Sequence, residues 1–217
     1  MAMCSTFRIG IAFCVLLSVA AVGQRPEVDN ANISEAEYEV FSAYLSQSFV
    51  GAVGKDRIDR EISQIVIVNR TESDKNDLDD FLDPNDPPPG GTVETYLQKE
   101  APSLRAITVS NFQRANKKQG KLTPQFHLPL PYQLVAAEQI GSILKDSPND
   151  WIEYYRHYPG AQGHMRLSRV GFSPDGEQAL FYSSNWCGGH CASGSYVVME
   201  KRVEGWKVIK EVFIWES

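Results

Sequence analysis

Two cysteines in a glycine-rich stretch are the residues whose types and spacing could most directly do chemistry. Cys187 and Cys191 flank His190 within residues 185–194, which read NWCGGHCASG. The pair could form a disulfide, or a redox dithiol in which His190 lowers the pKa of a neighbouring thiol. It could also bind zinc together with His190 and a fourth ligand such as His164. The Cys-x₃-Cys spacing departs from the Cys-x-x-Cys motif of thiol oxidoreductases, which favours the disulfide.

The N-terminal segment indicates the compartment in which these cysteines reside. Residues 1–23 carry one charge, Arg8, followed by a mostly apolar run over 9–22, which is the layout of a secretory signal. The run is shorter than the roughly 20 apolar residues of a membrane span, so we expect cleavage near Gln24 rather than an uncleaved anchor. An exported protein, periplasmic or secreted, then keeps one pair of cysteines in an oxidising compartment. We predict a disulfide between them, with no metal or cofactor.

Composition limits the partners of the mature chain. Removal of Arg8 with the signal leaves 20 of the 21 basic residues against 27 acidic ones, a formal charge of −7. Nucleic acid and anionic membranes both require clustered Lys and Arg, so we exclude them as partners. Length predicts one domain over 24–217. Its acidic, proline-rich segment at about 71–91 lacks the aspartate spacing of a calcium loop and predicts a mobile loop.

The pattern of apolar residues predicts helices first and strands last. Ser34 and Glu37 form a capping box ahead of an apolar stripe at helical spacing, and residues 64–69 predict a short buried strand. Further helices are predicted over 92–100, 103–118 and from 147, and strands over 165–172, 177–184, 195–202 and 206–215. Short turns separate these strands. The predicted fold class is therefore α+β, with N-terminal helices packed on a C-terminal four-stranded antiparallel meander.

Aromatic residues are dense in the last third of the chain. Successive strand residues point to opposite faces, so neighbours such as Phe181 and Tyr182 cannot both face one core. We expect most of these rings to pack between helix and sheet, and the remaining apolar surface is either covered by the N-terminal helices or left as a binding face. The candidate functional loop consists of His190, His164 and Trp186, with no catalytic role assigned to them.

Several motifs follow one another in order along the same third of the chain. They are WxxYYxxYPG at 151–160, LSRVGF at 167–172, ALFY at 179–182, CGGHC at 187–191, YVVMEK at 196–201 and GWKV at 205–208. This order resembles a group of exported bacterial proteins without an assigned function. The resemblance implies export and brings no catalytic residues. The closing GWKV segment is also similar, more weakly, to that of α+β domains of the nuclear-transport-factor-2 type, which implies a cone-shaped fold.

These features favour an exported, non-enzymatic protein that binds a small ligand or an envelope protein over its aromatic C-terminal region. The alternative is a thiol-redox or metal-dependent enzyme centred on the cysteine loop, in which His190 modulates a thiol or binds the metal. The two hypotheses differ in the effect of replacing His190, because only the second predicts that the replacement abolishes activity.

Overall fold

The computed structural model describes residues 32–50, 62–72, 92–145 and 150–217, which contain five helices and seven strands. In chain order the elements are α1 (Glu35–Val50), β1 (Gln64–Val68), α2 (Val93–Glu100), α3 (Ala106–Ala115), β2 (Tyr132–Val135), α4 (Ala137–Ile143), α5 (Asp150–His157), β3 (Ala161–Leu167), β4 (Gly171–Phe172), β5 (Gln178–Trp186), β6 (Ala192–Arg202) and β7 (Gly205–Glu216). The predicted export signal lies outside the described residues, as do positions 73–91 of the predicted acidic loop. No helix in the described ranges combines the length and apolar character that crossing a bilayer requires.

The structure is α+β as predicted, but its sheet is larger than expected. The seven strands of the described residues form one mixed sheet in the order β2-β1-β3-β5-β6-β7, with β4 also paired to β5. An antiparallel meander is present, since β3 and β4 pair with β5, β5 with β6, and β6 with β7. The restriction to four antiparallel strands is wrong, because β1 pairs in parallel with both β2 and β3. Parallel neighbours need long crossover connections, so no short turn in the sequence marks them.

The strand predicted over 165–172 is divided into β3 and β4. Ser168, at the break, keeps the pairing with β5: its amide donates to the Tyr182 carbonyl at 2.9 Å. Its hydroxyl accepts from the Tyr182 amide at 2.8 Å, in the place that a carbonyl takes in a regular ladder. The next residue, Arg169, is buried, and the chain returns to the sheet at Gly171.

A buried ion pair joins this break to α1. Arg169 Nε and Nη2 donate to the two carboxylate oxygens of Glu37 at 2.7 and 2.9 Å, and the Val170 amide donates to the same carboxylate at 3.2 Å. The predicted capping box is confirmed: the Ser34 amide and hydroxyl each donate to Glu37 at 2.9 Å, and the Glu37 amide donates to Ser34 Oγ at 3.3 Å. The Glu37 carboxylate thus receives charge and donors from two segments, which offsets the cost of its burial.

Asn116 fastens the C-terminal end of α3 to the same network. Its side-chain amide donates to the carbonyls of Phe112 at 2.9 Å and Arg169 at 3.1 Å. Its side-chain oxygen accepts from the Arg169 amide at 2.8 Å. Asn116 is fully buried, so these bonds form away from competing water. As a result α1, α3 and the connection between β3 and β4 are held by one set of hydrogen bonds.

Helix α1 and the segment 120–130 cover one face of the sheet. The buried side chains of this layer include Tyr38, Phe41, Tyr44, Leu45, Ile65, Ile67, Leu122, Phe126, Met165, Leu167, Phe181, Val197 and Met199. Phe41 and Tyr44 both meet the Phe181 ring edge-on, with centroids 5.6 and 5.2 Å apart. The apolar stripe predicted for α1 therefore packs directly on β5.

The opposite face carries two separate clusters. Helices α2 and α3 pack on β5, β6 and β7 through Val93, Leu97, Val109, Phe112, Leu180, Tyr182, Tyr196, Val198 and Val212. Helices α4 and α5 pack on β1 and β2 and at the start of β3 through Val66, Val68, Val135, Ile140, Tyr154, Tyr158 and Ala161. Ile107 on α3 is 44 % exposed, because the buried stripe of this helix runs through Thr108, Val109 and Phe112.

Replacing Glu37 tests the buried pair. We expect Glu37→Gln to lower the free energy of unfolding by about 3–5 kcal/mol, because the variant leaves the Arg169 charge buried without its counter-charge. Chemical denaturation measures the change. The control is Glu153→Gln, which breaks an exposed pair with Arg156 and is expected to cost about 0.5 kcal/mol or less. Equal small losses in the two variants would show that the buried pair has no special role.

Candidate ligand-binding pocket

The predicted disulfide between Cys187 and Cys191 is present, with the two Cα atoms 5.1 Å apart. It closes the connection between β5 and β6, where the Cys187 amide also donates to the Cys191 carbonyl at 2.9 Å. Trp186 and Ala192, directly before and after the loop, form the last pair of the two strands. The disulfide therefore clamps the end of a strand pair, and both sulfur atoms are committed to it.

The three residues predicted to make a functional loop lie in different environments. His164 on β3 is 2 % exposed, and Trp186, directly opposite it on β5, is 38 % exposed. Opposite residues of an antiparallel pair share a face, so these two side chains lie together. His190 is exposed in the cysteine loop. Within the described residues, no group of three or more His, Cys, Asp or Glu side chains could hold a metal ion.

His164 is enclosed by the aromatic rings of α5. Its ring stacks on Trp151, with centroids 6.0 Å apart and planes 9° from parallel, and lies 5.7 Å from the ring of Tyr154. Its Nδ1 atom is buried and has no hydrogen-bond partner among the described residues. Burial lowers the pKa of His164 to about 4, and the charge of Arg166 contributes to the lowering. The imidazole is therefore neutral at neutral pH.

Helix α5 is also tied to the cysteine loop. The Tyr155 hydroxyl donates to the Cys187 carbonyl at 2.9 Å. On the same helix, Tyr154 is fully buried, and burial raises the pKa of its hydroxyl well above the ordinary tyrosine value. These contacts make α5, the start of the cysteine loop and β3 one packed unit. This packing positions Arg166, which lies two residues after His164 on the same face of β3.

A cavity of about 430 Å³ lies at the carboxyl ends of β1 and β2. We call it the Arg166 pocket. Its walls are the chain after β1 from Val68 to Glu72, the start of α4 at Ala137 and Glu138, Gln119, and Arg166 of β3. The carboxyl ends of parallel strands are a common position for ligand sites, because the loops leaving neighbouring strands diverge there. The volume lies in the range of small-molecule sites.

The wall after β1 is held by hydrogen bonds on both sides. Thr71 is buried; its amide donates to the Gly120 carbonyl at 2.9 Å, and the Gly120 amide donates to Thr71 Oγ1 at 2.8 Å. Gln119 Nε2 donates to the Thr71 carbonyl at 2.7 Å. The Glu72 amide donates to the Leu167 carbonyl at 2.9 Å, which attaches the end of this wall to β3. The pocket is therefore largely formed before any ligand enters.

Charges of both signs line the Arg166 pocket. Arg166 Nη1 lies 3.7 Å from Glu72 Oε1, close enough for attraction but longer than a hydrogen bond. The Arg166 side chain is 34 % exposed, and its buried Nε has no hydrogen-bond partner among the residues described. Its guanidinium lies over the Trp186 ring, 5.8 Å from the ring centre. Arg70 and Glu138 are exposed at the same cavity.

The pocket residues were not predicted from the sequence. The signal that points to them is the polar run Asn69-Arg-Thr-Glu72 directly after the buried strand β1. Such a run marks a ligand site only when the strand has a parallel neighbour, and this pairing was not expected. Trp186 is the predicted residue that the structure connects to the pocket, through its contact with Arg166.

Comparison of this chain with protein-family models, with curated proteins and with solved structures gave no match. The likeness to exported bacterial proteins and to the nuclear-transport-factor-2 type therefore stays a prediction.

The burial of His164 predicts how stability depends on pH. Its pKa is lowered to about 4 in the folded protein, whereas the unfolded chain takes up this proton near pH 6.5. The buried neutral imidazole therefore makes its full contribution to the free energy of unfolding above pH 6.5. This contribution is lost as the pH falls towards 4, by up to roughly 3 kcal/mol. We expect His164→Gln to remove this part of the pH dependence of the free energy of unfolding.

The control for this prediction is His157→Gln, which removes an exposed histidine from α5. Urea denaturation at several pH values between 4 and 7 compares the three proteins. His157→Gln should keep the slope of the wild type, and only His164→Gln should flatten it. The same slope in all three proteins would contradict the assignment.

Proposed function

We propose that this chain is an exported, non-enzymatic protein that binds a small polar ligand in the Arg166 pocket. The observation that carries the proposal is a cavity of about 430 Å³ whose walls bring charged side chains together from the end of β1, from α4 and from β3. Charged side chains that converge on one concave site are typical of ligand recognition, where a few polar groups fix the orientation of the ligand.

The pocket borders the aromatic region that the sequence indicated as a binding surface. Arg166 belongs to the pocket wall and also lies over Trp186, whose ring is 5.3 Å from that of Trp215. Arg166 therefore connects the charged pocket to partly exposed aromatic rings. This position supports binding at the C-terminal region, with the pocket as its polar part.

The disulfide supports export. Disulfides persist in oxidising compartments and are rare where thiols are kept reduced. Cys187 and Cys191 lie in a loop that their disulfide closes and that a hydrogen bond from Tyr155 to the Cys187 carbonyl attaches to α5. A periplasmic or secreted location, after removal of the predicted signal 1–23, agrees with this chemistry.

The environment of His164 supports a non-enzymatic role. This histidine lies on β3, two residues before Arg166 of the pocket wall. General acid–base catalysis is efficient when the pKa of the group lies near the working pH. His164 has a pKa of about 4 and is 2 % exposed, so it is neither charged nor accessible at neutral pH. Arg166, two residues further on, lines the pocket and supplies a positive charge for binding.

A ligand screen tests this proposal. The probes are succinate, putrescine, glucose, L-alanine and L-glutamine, each added at millimolar concentration to isotope-labelled protein. We expect at least one probe to shift the backbone amide signals of residues 68–72, 137–138 and 166 in NMR spectra. Arg166→Gln should bind a probe that carries a carboxylate at least tenfold more weakly, and Arg156→Gln, an exposed arginine of α5, should bind it as the wild type does. Unchanged affinity of a carboxylate probe in Arg166→Gln, or no shifts with any probe, would overturn the proposal.

Removal of the disulfide separates the binding hypothesis from the alternative of an enzyme centred on the cysteine loop. We expect Cys187→Ala/Cys191→Ala to lower the free energy of unfolding by about 2 kcal/mol, because the bond closes only a small loop. Ligand-induced shifts at the Arg166 pocket should remain, and so should those of His190→Ala. A thiol-redox or metal-dependent activity that is lost in His190→Ala at unchanged melting temperature would instead support the enzyme.

A further inference from the structure

The charges around the Arg166 pocket are balanced in sign. Arg70 and Arg166 bring two positive charges, and Glu72 and Glu138 bring two negative ones. A site for a simple anion or a simple cation gains from a lining of one sign, since each opposite charge in the wall repels the ligand. A lining of both signs instead matches a ligand that carries both charges within a short distance.

Arg166 and Glu72 form a long ion pair in the pocket rather than a charge-assisted hydrogen bond. The contact between Arg166 Nη1 and Glu72 Oε1 measures 3.7 Å, longer than the 2.7–2.9 Å of a charge-assisted hydrogen bond. The contact with Trp186, in which Arg166 Cζ lies 5.8 Å from the ring centre, uses none of the guanidinium N–H donors. A planar guanidinium with free donor capacity is suited to bind a carboxylate at two points.

Glu138 provides the opposite charge. It is exposed on the first turn of α4, a different element from the one that carries Arg166. The lining of the cavity also includes the apolar residues Val68 and Ala137 and the amide residues Asn69 and Gln119. These groups fit a short apolar or uncharged polar side chain.

We infer that the ligand of the Arg166 pocket is a free α-amino acid with a small or uncharged side chain; this inference rests on the proposed function. Its carboxylate binds Arg166, and its ammonium group binds Glu138. The cavity volume of about 430 Å³ is at the lower end of the range of ligand sites, which agrees with a single small molecule rather than a chain of several units.

Blocked analogues test both contacts. The affinities of L-glutamine, N-acetyl-L-glutamine and L-glutaminamide are measured by NMR titration of the amide signals of residues 68–72. The N-acetyl compound lacks the ammonium group, and the amide lacks the carboxylate. We expect each analogue to bind at least tenfold more weakly than L-glutamine, because each leaves one charged wall residue without its partner.

Two variants assign the contacts. Glu138→Gln should bind L-glutamine and its N-acetyl form with similar affinity, and Arg166→Gln should no longer distinguish L-glutamine from L-glutaminamide. Glu153→Gln, which changes an exposed glutamate of α5 outside the pocket, is the control and should bind as the wild type does. Binding of the blocked analogues as tight as that of L-glutamine to the wild type would overturn the inference.

Ligand binding at the Arg166 pocket and the amino-acid nature of the ligand can be tested separately. If succinate, putrescine or glucose binds at the Arg166 pocket and neither L-alanine nor L-glutamine does, the inference of an amino acid is wrong and the proposed function stands. If none of the five probes binds, both are wrong. Binding of either amino acid that weakens at least tenfold in both Arg166→Gln and Glu138→Gln supports both.

Discussion

The buried pair of Glu37 and Arg169 is the interaction on which the arrangement of the other parts depends. Removing charges from water costs several kcal/mol, and only close partner charges and hydrogen bonds offset this cost. The Glu37 carboxylate receives donors from the start of α1 and from the connection between β3 and β4. Neither segment can move without leaving a charge unpaired. The pair therefore determines where α1 crosses the sheet.

The same pair supports the pocket through a glycine. Gly120 packs so closely that a Cβ atom on it would lie 3.1 Å from Arg169 Cδ and 2.3 Å from Ile33 Cδ1. From this position Gly120 exchanges hydrogen bonds with Thr71, which precedes Glu72 in the pocket wall. The packing that places the ion pair and the shape of the pocket thus share one stretch of backbone. A larger residue at position 120 would disturb both.

Features that depend on neighbouring residues could be predicted, and features that depend on distant ones could not. The capping box of Ser34 and Glu37, the cysteine loop and the antiparallel strands follow from residues that local geometry brings together. The parallel pairing of β1 joins Val66 to His164 across several helices, and no local pattern marks that partner. Arg169 belongs to a residue type that is mostly exposed, and only the distant Glu37 explains its burial. The pocket is of the second kind, because its wall combines the chain after β1 with Arg166.

The interior position of β1 has a consequence for synthesis of the chain. Its neighbours come much later in the sequence, since Ile65 pairs with Tyr132 and Val66 with His164. During translation, N-terminal segments leave the ribosome before the later strands that pair with them have been synthesised. Until then, β1 is a β-branched apolar segment with both hydrogen-bonding edges open, the kind that associates with other chains. Any nascent or truncated chain that ends before β3 therefore carries an aggregation-prone strand, and folding to completion must be fast or assisted by a chaperone.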